Sequence, residues 1–375
     1  MKILIAANYS SVYGGNFIPA VKEFARYCRI KGDEVGFAFP IGAQNREWCV
    51  DLKKEYPIYY IGNQGNSIEA KKLNQYIKID QYDSLYVHFS LGLVFQLSLL
   101  NPNLTIVRHT HTDMGEASTL KTKIKMWLKR NIFYPRMAHI YVSKRLQSME
   151  GMANKSNSLF LSNALVDNRF DLDKLPAYRA ELRQKFAISD RDRVILMFGW
   201  HIKVKGVDIA LRAFEKILHK KPMTVLFIVM DEKVGNDFAK KYVSSETLKH
   251  VFFLPPMQKI EKYYAASDIF LSSSRSEGFP YSILEALYFG KYVVTSSLDA
   301  VQWALKYKSV LGFESENIDD CVRKMCTTIE KTYMDIDSIG QREVEKQVRA
   351  EYSIEKWNEA VYEVLEKQYR KINQK

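Results

Sequence analysis

The stretch from residue 268 to residue 287, DIFLSSSRSEGFPYSILEAL, has the pattern of a strand, a loop and a helix in succession. The apolar strand gives way to a serine-rich loop that holds Glu277 and Gly278. Pro280 suits the first turn of the helix that follows. Glu285 then lies inside this helix among apolar neighbours, where an unpaired charge is costly. Hydroxyl groups of a ligand would satisfy this carboxylate, but the stretch alone favours a structural salt bridge.

The same alternation of strand and helix continues outward in both directions. It is the pattern of parallel sheets covered by helices on both faces. The predicted strands are 2–7, 34–39, 84–89, 104–109, 138–143, 193–198, 225–230, 251–254, 268–272 and 292–295. The predicted helices include 17–31, 178–186, 206–219 and 353–369. The fold class is therefore α/β, with two doubly wound units in tandem.

A chain of 375 residues is long enough for two domains, each with its own core. Residues 167–192 are polar and charged and form the natural linker. We therefore expect one domain over residues 1–170 and a second over 171–352. Residues 353–375 form a terminal amphipathic helix.

The composition, with 47% hydrophobic and 26% charged residues, excludes disordered and fibrous classes. Cys28, Cys49, Cys321 and Cys326 lack metal-site spacing and indicate reduced thiols in a cytosolic protein. No signal peptide is recognisable, and polar residues interrupt the longest apolar stretch, 85–100, so we expect no membrane-spanning helix.

The formal net charge of +12 is unevenly distributed along the chain. Residues 1–170 contain 22 Lys and Arg against 13 Asp and Glu, whereas the remaining residues contain 33 against 30. This asymmetry indicates that the first half meets an anion, such as a nucleic acid, a membrane surface or a phosphorylated substrate.

Two further loops follow predicted strands, where ligands bind in doubly wound sheets. The first contains Gly14 and Gly15, which either let the backbone approach an anion or a sugar or form a tight turn with positive φ. The second, GWHIKVKG, runs from Gly199 to Gly206. In it, Lys203 or Lys205 adds a cation near a helix N-terminus and suits a diphosphate, although its spacing is not that of a P-loop. The alternative is that Lys203 and Lys205 are surface lysines that contact only water.

The segment 277–285 resembles the E-x7-E motif of the retaining, nucleotide-sugar-dependent glycosyltransferases of group 1. Further similar segments follow in family order: Gly14-Gly15, 83–88, 141–143, 163–170 (with Ala164 where glycine is usual), Lys205-Gly206 and 267–270. The resemblance implies the GT-B fold, in which two Rossmann-like domains face each other across a cleft. It also implies that the C-terminal helix crosses back to the N-terminal domain.

The resemblance further implies an acceptor-binding first domain and a nucleotide-sugar site in the second. Glu285 would hold the ribose hydroxyls, Glu277 would lie by the donor sugar, and Lys205 would neutralise the diphosphate leaving group. The implied donor-binding residues are Gly15, Gly199, Lys203, Lys205, Pro255, Met257, Glu277, Gly278, Phe279, Pro280, Tyr281 and Glu285. The base would lie at residues 255–257. Neither a cofactor nor a metal is implied, and a UDP-sugar is the favoured co-substrate.

One departure from the family concerns the diphosphate site. The family has arginine directly after the glycine of the first strand in the second half, where this chain has Trp200. Lys203, His201 or Arg275 would have to substitute for it, or the site is weakened. Loss of one charge-assisted contact costs about 1.5–3 kcal/mol.

Two histidines follow a predicted strand of the first half, in the sequence RHTHTD from Arg108 to Asp113. A histidine at this position in the family lies near the donor sugar and the acceptor hydroxyl, and both His109 and His111 fit. The implied catalytic residues are Glu277, Lys205, His109 and His111. Two histidines at this spacing also suit a metal, but no carboxylate or cysteine cluster completes such a site. A purely structural role is the alternative.

Residues 117–138 contain six basic and no acidic residues, interleaved with apolar and aromatic ones. Such basic amphipathic stretches lie at membrane interfaces and are attracted to anionic lipid. The alternative is an ordinary helix that packs its apolar face on the sheet. No nucleic-acid-binding motif is present, so nucleic acid is not an expected partner.

The sequence thus predicts a metal-independent, retaining hexosyltransferase that moves a sugar from a nucleoside diphosphate-sugar to a hydroxyl of a glycan or lipid-linked acceptor. Bacterial surface polysaccharide or glycolipid synthesis, at the inner face of the membrane, is the expected setting. In the implied front-face mechanism, the diphosphate held by Lys205 helps to take the acceptor proton. The alternatives are a nucleotide-sugar epimerase of the same fold and a non-catalytic partner subunit, the latter suggested by Trp200.

Overall fold

The computed structural model describes residues 1–62, 69–89, 91–111, 124, 127–334 and 338–373. The chain divides into two compact units. The first comprises Met1–Val166 and Tyr352–Lys375, and the second comprises Asp167–Glu351. Arg169 and Phe170 therefore belong to the second unit, and the end of the chain returns to the first.

The first unit contains a seven-stranded parallel sheet. Its strands are β1 (Lys2–Ala7), β2 (Glu34–Pro40), β3 (Ile58–Ile61), β4 (Ser84–His88), β5 (Thr105–Thr110), β6 (Ala138–Tyr141) and β7 (Ser158–Phe160). Their order is β3-β2-β1-β4-β5-β6-β7, so the winding direction reverses between β1 and β4. Ala7 and His88 are paired there, which brings the carboxyl ends of these two strands side by side.

The second unit contains a six-stranded parallel sheet with the same kind of reversal. Its strands are β8 (Arg193–Phe198), β9 (Thr224–Val229), β10 (Val251–Leu254), β11 (Ile269–Ser272), β12 (Tyr292–Ser296) and β13 (Val310–Phe313). Their order is β10-β9-β8-β11-β12-β13, which places the reversal between β8 and β11. Both units are thus Rossmann-like, which confirms the predicted α/β class.

Helices cover both sheets, as the burial of the central strands requires. They are α1 (Phe17–Ile30), α2 (Glu47–Lys53), α3 (Ala70–Ile79), α4 (Leu91–Leu100), α5 (Lys144–Met149), α6 (Leu175–Lys185), α7 (Val207–Lys220), α8 (Glu232–Ala239), α9 (Ser245–Leu248), α10 (Glu261–Ala266), α11 (Tyr281–Tyr288), α12 (Ile318–Met334), α13 (Ser338–Glu351) and α14 (Ile354–Asn373). A π-helical turn, Lys129–Phe133, precedes a short 3-10 turn, Tyr134–Arg136.

The last helix, α14, packs on the first unit, as predicted for the C-terminal segment. Trp357, Val361 and Leu365 recur at helical spacing and are buried in the core of that unit. The Trp357 ring lies 6.0 Å from the ring of Phe24 in α1. The chain is anchored just before the helix, where the backbone N–H of Leu165 donates to the carbonyl of Tyr352.

The apolar stretch 85–100 does not form one continuous helix, because it is divided between β4 and α4. Across the described part of the chain, every helix is too short or too polar to cross a bilayer. The four cysteines are free thiols, and only Cys326 is not fully buried.

Candidate active site

In the second unit, two loops meet where the winding of the sheet reverses, which is where doubly wound sheets bind ligands. The loop 199–206 connects β8 to α7, and the loop 273–280 connects β11 to α11. Several hydrogen bonds join them; in two of these, the backbone N–H of Arg275 donates to Val204 O at 2.8 Å, and Ser273 Oγ donates to Gly206 O at 2.9 Å. The predicted motif residues are therefore held together in space.

Both glycines of the first loop are required by the structure. Gly206 has φ +63°, and a Cβ there would lie 2.0 Å from the carbonyl oxygen of Ser273. A Cβ on Gly199 would lie 2.8 Å from a methyl group of Ile228. Gly206 thus permits the close approach of the two loops, whereas Gly199 permits close packing beneath them.

Lys205 and Glu277, one from each loop, form an ion pair with an N–O distance of 2.6 Å. Ser274 Oγ donates to the same oxygen, Glu277 Oε1, at 2.7 Å. The Lys205 and Glu277 side chains are 13% and 11% exposed, so the pair is largely shielded from water and yet accessible. A cation and a carboxylate are thereby fixed beside the N-terminus of α7.

Trp200 adjoins this pair. Its side chain is exposed, and the Lys205 Nζ lies 5.3 Å from the centre of its ring. Of the residues proposed to replace the missing arginine, Arg275 does not fill that place, because all five of its N–H groups are used. They donate to Asp208, Glu316 and the carbonyl of Lys203. The Lys203 and His201 side chains are exposed.

Glu285, on α11, is buried and has protein partners on both oxygens. Arg169 Nη2 lies 2.5 Å from Oε1, and Tyr264 OH donates to Oε2 at 3.0 Å. Burial raises the pKa of the Glu285 carboxyl, and the Arg169 guanidinium opposes this rise. The salt bridge considered from the sequence is thus present, and its partners, Arg169 and Tyr264, were not identified from the sequence.

The other predicted donor-binding residues lie in the loop before α11 and in the loop after β10. Phe279 is buried, and its ring stacks on Trp303 with the ring centres 4.5 Å apart. Gly278 and Tyr281 are partly exposed. Pro280 directly precedes α11. Pro255 and Met257 follow β10, and the carbonyl of Pro255 accepts a hydrogen bond from Tyr263 OH. Their contact with a donor stays a prediction.

In the first unit, the Gly14-Gly15 loop adopts a tight turn. Gly15 has φ +55°, and Tyr9 OH donates to the carbonyls of Tyr13 and Gly14 at 2.9 and 3.2 Å. The turn with positive φ considered from the sequence is therefore present. A role of Gly15 in binding the donor stays a prediction.

His109 and His111 lie near a third histidine, His88, which ends the neighbouring strand. His88 Nδ1 lies 2.9 Å from His111 Nε2, and His109 Nδ1 shares a 2.6 Å hydrogen bond with Tyr86 OH. Burial lowers the pKa of all three imidazoles, that of His111 to about 3, so they are neutral at physiological pH. His109 is 2% exposed and also lies against the Trp357 ring, whereas His111 stands beyond the end of β5 and is partly exposed.

The basic stretch 117–138 falls partly outside the described residues, and this includes Lys121, Lys123 and Lys125. Within its described part the large apolar side chains of Ile124, Trp127, Leu128 and Ile132 are 40–61% exposed. These side chains are therefore not packed on the sheet, as an ordinary amphipathic helix would require.

Comparison with known proteins finds a family model and relatives that match part of the chain. The family model "Glycosyl transferases group 1" matches residues 178–331. The O-antigen biosynthesis glycosyltransferase WclY of Escherichia coli is 24% identical over 174 residues, which are 46% of this chain and 46% of WclY. The chain thus spans about half the length of that relative.

Two other proteins match over more of the chain. The Escherichia coli UDP-Gal:alpha-D-GlcNAc-diphosphoundecaprenol alpha-1,3-galactosyltransferase is 24% identical over 286 residues, 71% of each chain. The structure of Anabaena Alr3699/HepE in complex with UDP has a TM-score of 0.77 at 18% identity, covering 98% of this chain and all of that one. The first is similar in sequence and the second in fold. The second unit thus resembles the group 1 glycosyltransferases over residues 178–331, and the chain is similar in fold to HepE.

Proposed function

We propose that this protein transfers a sugar from a UDP-sugar to a hydroxyl of a lipid-linked or polysaccharide precursor, with retention of anomeric configuration and without a metal at the diphosphate. The observation that carries the proposal is the convergence of Lys205 and Glu277 where the winding of the second sheet reverses. An ammonium group beside a helix N-terminus suits a departing diphosphate, whose negative charge grows as the glycosidic bond breaks.

Lys205 would bind the diphosphate, and Glu277 would bind the donor sugar. Two donors already converge on Glu277 Oε1, so Oε2 is the oxygen offered to a sugar hydroxyl. When the diphosphate binds, Lys205 exchanges part of its contact with Glu277 for the phosphate oxygens. In this front-face mechanism a phosphate oxygen takes the acceptor proton, and no nucleophile from the protein is needed.

Glu285 would bind the ribose in addition to its protein partners. A carboxylate oxygen accepts more than one hydrogen bond, so a carboxylate already held by Arg169 and Tyr264 can also accept bonds from ribose hydroxyls. Arg169 and Tyr264 thus orient the carboxylate for the nucleoside.

The acceptor class is supported by the relative whose name gives a diphosphoundecaprenol acceptor, and the UDP-sugar donor is supported by the HepE structures with UDP and UDP-glucose. The exposed apolar side chains of Ile124, Trp127, Leu128 and Ile132 support contact with an anionic membrane, where a lipid-linked acceptor resides. The first unit, which carries this surface, would bind the acceptor.

The proposal is tested by calorimetric titration with UDP, GDP and ADP and their sugar conjugates, followed by incubation of the bound sugar nucleotide with lipid diphosphate-linked acceptors. We expect binding of UDP, retained in excess chelator, and a glycoside whose anomeric NMR signal matches that of the donor. Conversion of the donor without an acceptor would instead indicate an epimerase. Absence of binding to every nucleotide would indicate a partner subunit.

A further inference from the structure

A second cluster of chemically active side chains lies in the first unit, outside the donor site. His88 ends β4, His109 lies near the end of the adjacent strand β5, and His111 directly follows that strand. The cluster lies beside the reversal between β1 and β4, where His88 O accepts a hydrogen bond from the backbone N–H of Asn8. We propose that His88, His109 and His111 bind one divalent transition-metal ion of the zinc class.

The spacing of the three imidazoles suits a single ion. One ring nitrogen from each histidine lies within 4.8 Å of the others, and the closest two are 2.9 Å apart. Tetrahedral zinc with metal–nitrogen distances of about 2.0–2.1 Å requires ligand nitrogens about 3.4 Å apart. Side-chain movements of less than about one ångström therefore convert this arrangement into three ligands of one ion.

An unsatisfied nitrogen provides a second observation. In the described structure, the Nε2 atom of His109 is buried without a hydrogen-bond partner, while its Nδ1 is bonded to Tyr86 OH. Buried polar atoms normally have partners, so this nitrogen calls for one. A metal ion accepts the lone pair of an imidazole nitrogen and would satisfy this atom.

The surroundings of the cluster fix the ligands. Tyr86 OH, 2.6 Å from His109 Nδ1, is the outer partner that metal-bound histidines usually have, and it directs Nε2 of this ring to the ion. Phe89, directly after His88, has φ +56°, a strained conformation for a bulky residue that often occurs at functional sites. Three protein ligands leave a fourth position for water or a substrate oxygen.

The sequence suggested only two of the three proposed ligands. His109 and His111 are visible as neighbours, but His88 lies 21 residues before His109 and reaches it only because β4 and β5 are paired in register, with His88 opposite His109. No carboxylate or cysteine is required, since three histidines form a common zinc ligand set.

The test uses the full chain, prepared without a polyhistidine tag and stripped of metal with a chelator. The protein is titrated with Zn²⁺ in competition with a chromophoric chelator. A separate sample is titrated with Co²⁺. We expect one equivalent to bind, with the visible absorption of tetrahedral or five-coordinate cobalt. His88→Gln and His111→Gln should each weaken binding by at least 100-fold, and Tyr86→Phe by about 10- to 100-fold. His219→Gln, at an exposed histidine on α7, should leave binding unchanged.

Circular dichroism and thermal unfolding without metal identify variants that fail to fold. Tyr86→Phe removes only one hydroxyl, so it tests the metal site with less disturbance of the fold. The proposal would be overturned by the absence of stoichiometric binding in the wild type. Equal affinity of the wild type and folded His88→Gln and His111→Gln variants would overturn it as well. Neither result depends on the donor site or on transferase activity.

Discussion

The Nζ atom of Lys205 lies 2.6 Å from Oε1 of Glu277, so the proposed diphosphate ligand is positioned by the carboxylate proposed to meet the donor sugar. Ser274 completes this arrangement by donating to the same oxygen. The two parts of the proposed leaving-group and sugar site are thus directly connected to each other. A change to either residue is expected to affect both binding and turnover.

Lys205→Ala should therefore weaken UDP binding by about 10- to 150-fold, because one charge-assisted contact of about 1.5–3 kcal/mol is lost. Calorimetric titration measures the affinity. Lys240→Ala is the matched control, since Lys240 is also paired with a carboxylate, Asp237, but on an exposed helix. Equal UDP affinity in the wild type and Lys205→Ala would contradict the assignment of Lys205.

Trp200→Arg should strengthen UDP binding by about tenfold, because it adds a second cation at the proposed diphosphate site. Trp200 is exposed, so the substitution does not disturb the core. The gain should shrink with added salt, which screens the new charge. Trp200→Gln, which changes size without adding charge, is the control, and an equal gain there would exclude an electrostatic cause.

Arg169→Met should destabilise the second unit by about 3–5 kcal/mol, because it leaves the buried Glu285 carboxylate without its cation. Denaturant unfolding followed by tryptophan fluorescence and circular dichroism measures the loss. Arg323→Met removes an exposed pair with Asp320 and should cost less than about 1 kcal/mol. If Arg169→Met costs no more than this control, the Glu285 pair does not contribute to stability as argued.

Most of the fold was predictable because central parallel strands are continuous apolar runs between loops. β1, β8 and β10 have the bounds predicted for them. The strands that the sequence did not reveal, β3, β7 and β13, all lie at sheet edges. These strands have three or four residues and are partly exposed, so their apolar pattern is weak.

The site was predictable only where its residues are close in sequence. Glu277 and Glu285 belong to one motif, and the burial of Glu285 correctly indicated a need for a partner. The identity of that partner was not indicated, because Arg169 lies 116 residues away and reaches Glu285 only through the fold. His88 was missed for the same reason, since register between strands has no local signal.

Acid should destabilise the first unit through Glu150. Burial raises the pKa of its carboxyl, but hydrogen bonds from Arg108, Tyr141 and Tyr134 prevail and lower it to about 2. A folded pKa below the ordinary 4.5 means that the stabilisation is complete above about pH 4.5 and is lost as the pH falls towards 2. The loss is about 3 kcal/mol.

Denaturant unfolding of the wild type and Glu150→Gln between pH 7 and pH 3 tests whether Glu150 causes this loss of stability in acid. The variant should be less stable at pH 7, because Arg108 loses its buried ionic partner. Its stability should then fall less steeply below pH 4.5 than that of the wild type. Glu246→Gln, the control at an exposed glutamate, should keep the wild-type dependence of stability on pH. If the stability of Glu150→Gln falls with pH in parallel with that of the wild type, Glu150 is not the source of the acid sensitivity.

Trp127 and Ile132 present 61% and 43% of their surface to solvent, and they are the side chains expected to enter a membrane interface. The double change Trp127→Ala, Ile132→Ala should reduce cosedimentation with phosphatidylglycerol-containing vesicles by at least about tenfold, since burial of two large apolar side chains is worth several kcal/mol. Met334→Ala, which removes a 78% exposed apolar side chain from the second unit, should bind vesicles as the wild type does. Binding should also weaken with salt, because the surrounding basic residues are attracted to anionic lipid. Equal binding of the double variant and the wild type would show that this surface does not contact the bilayer.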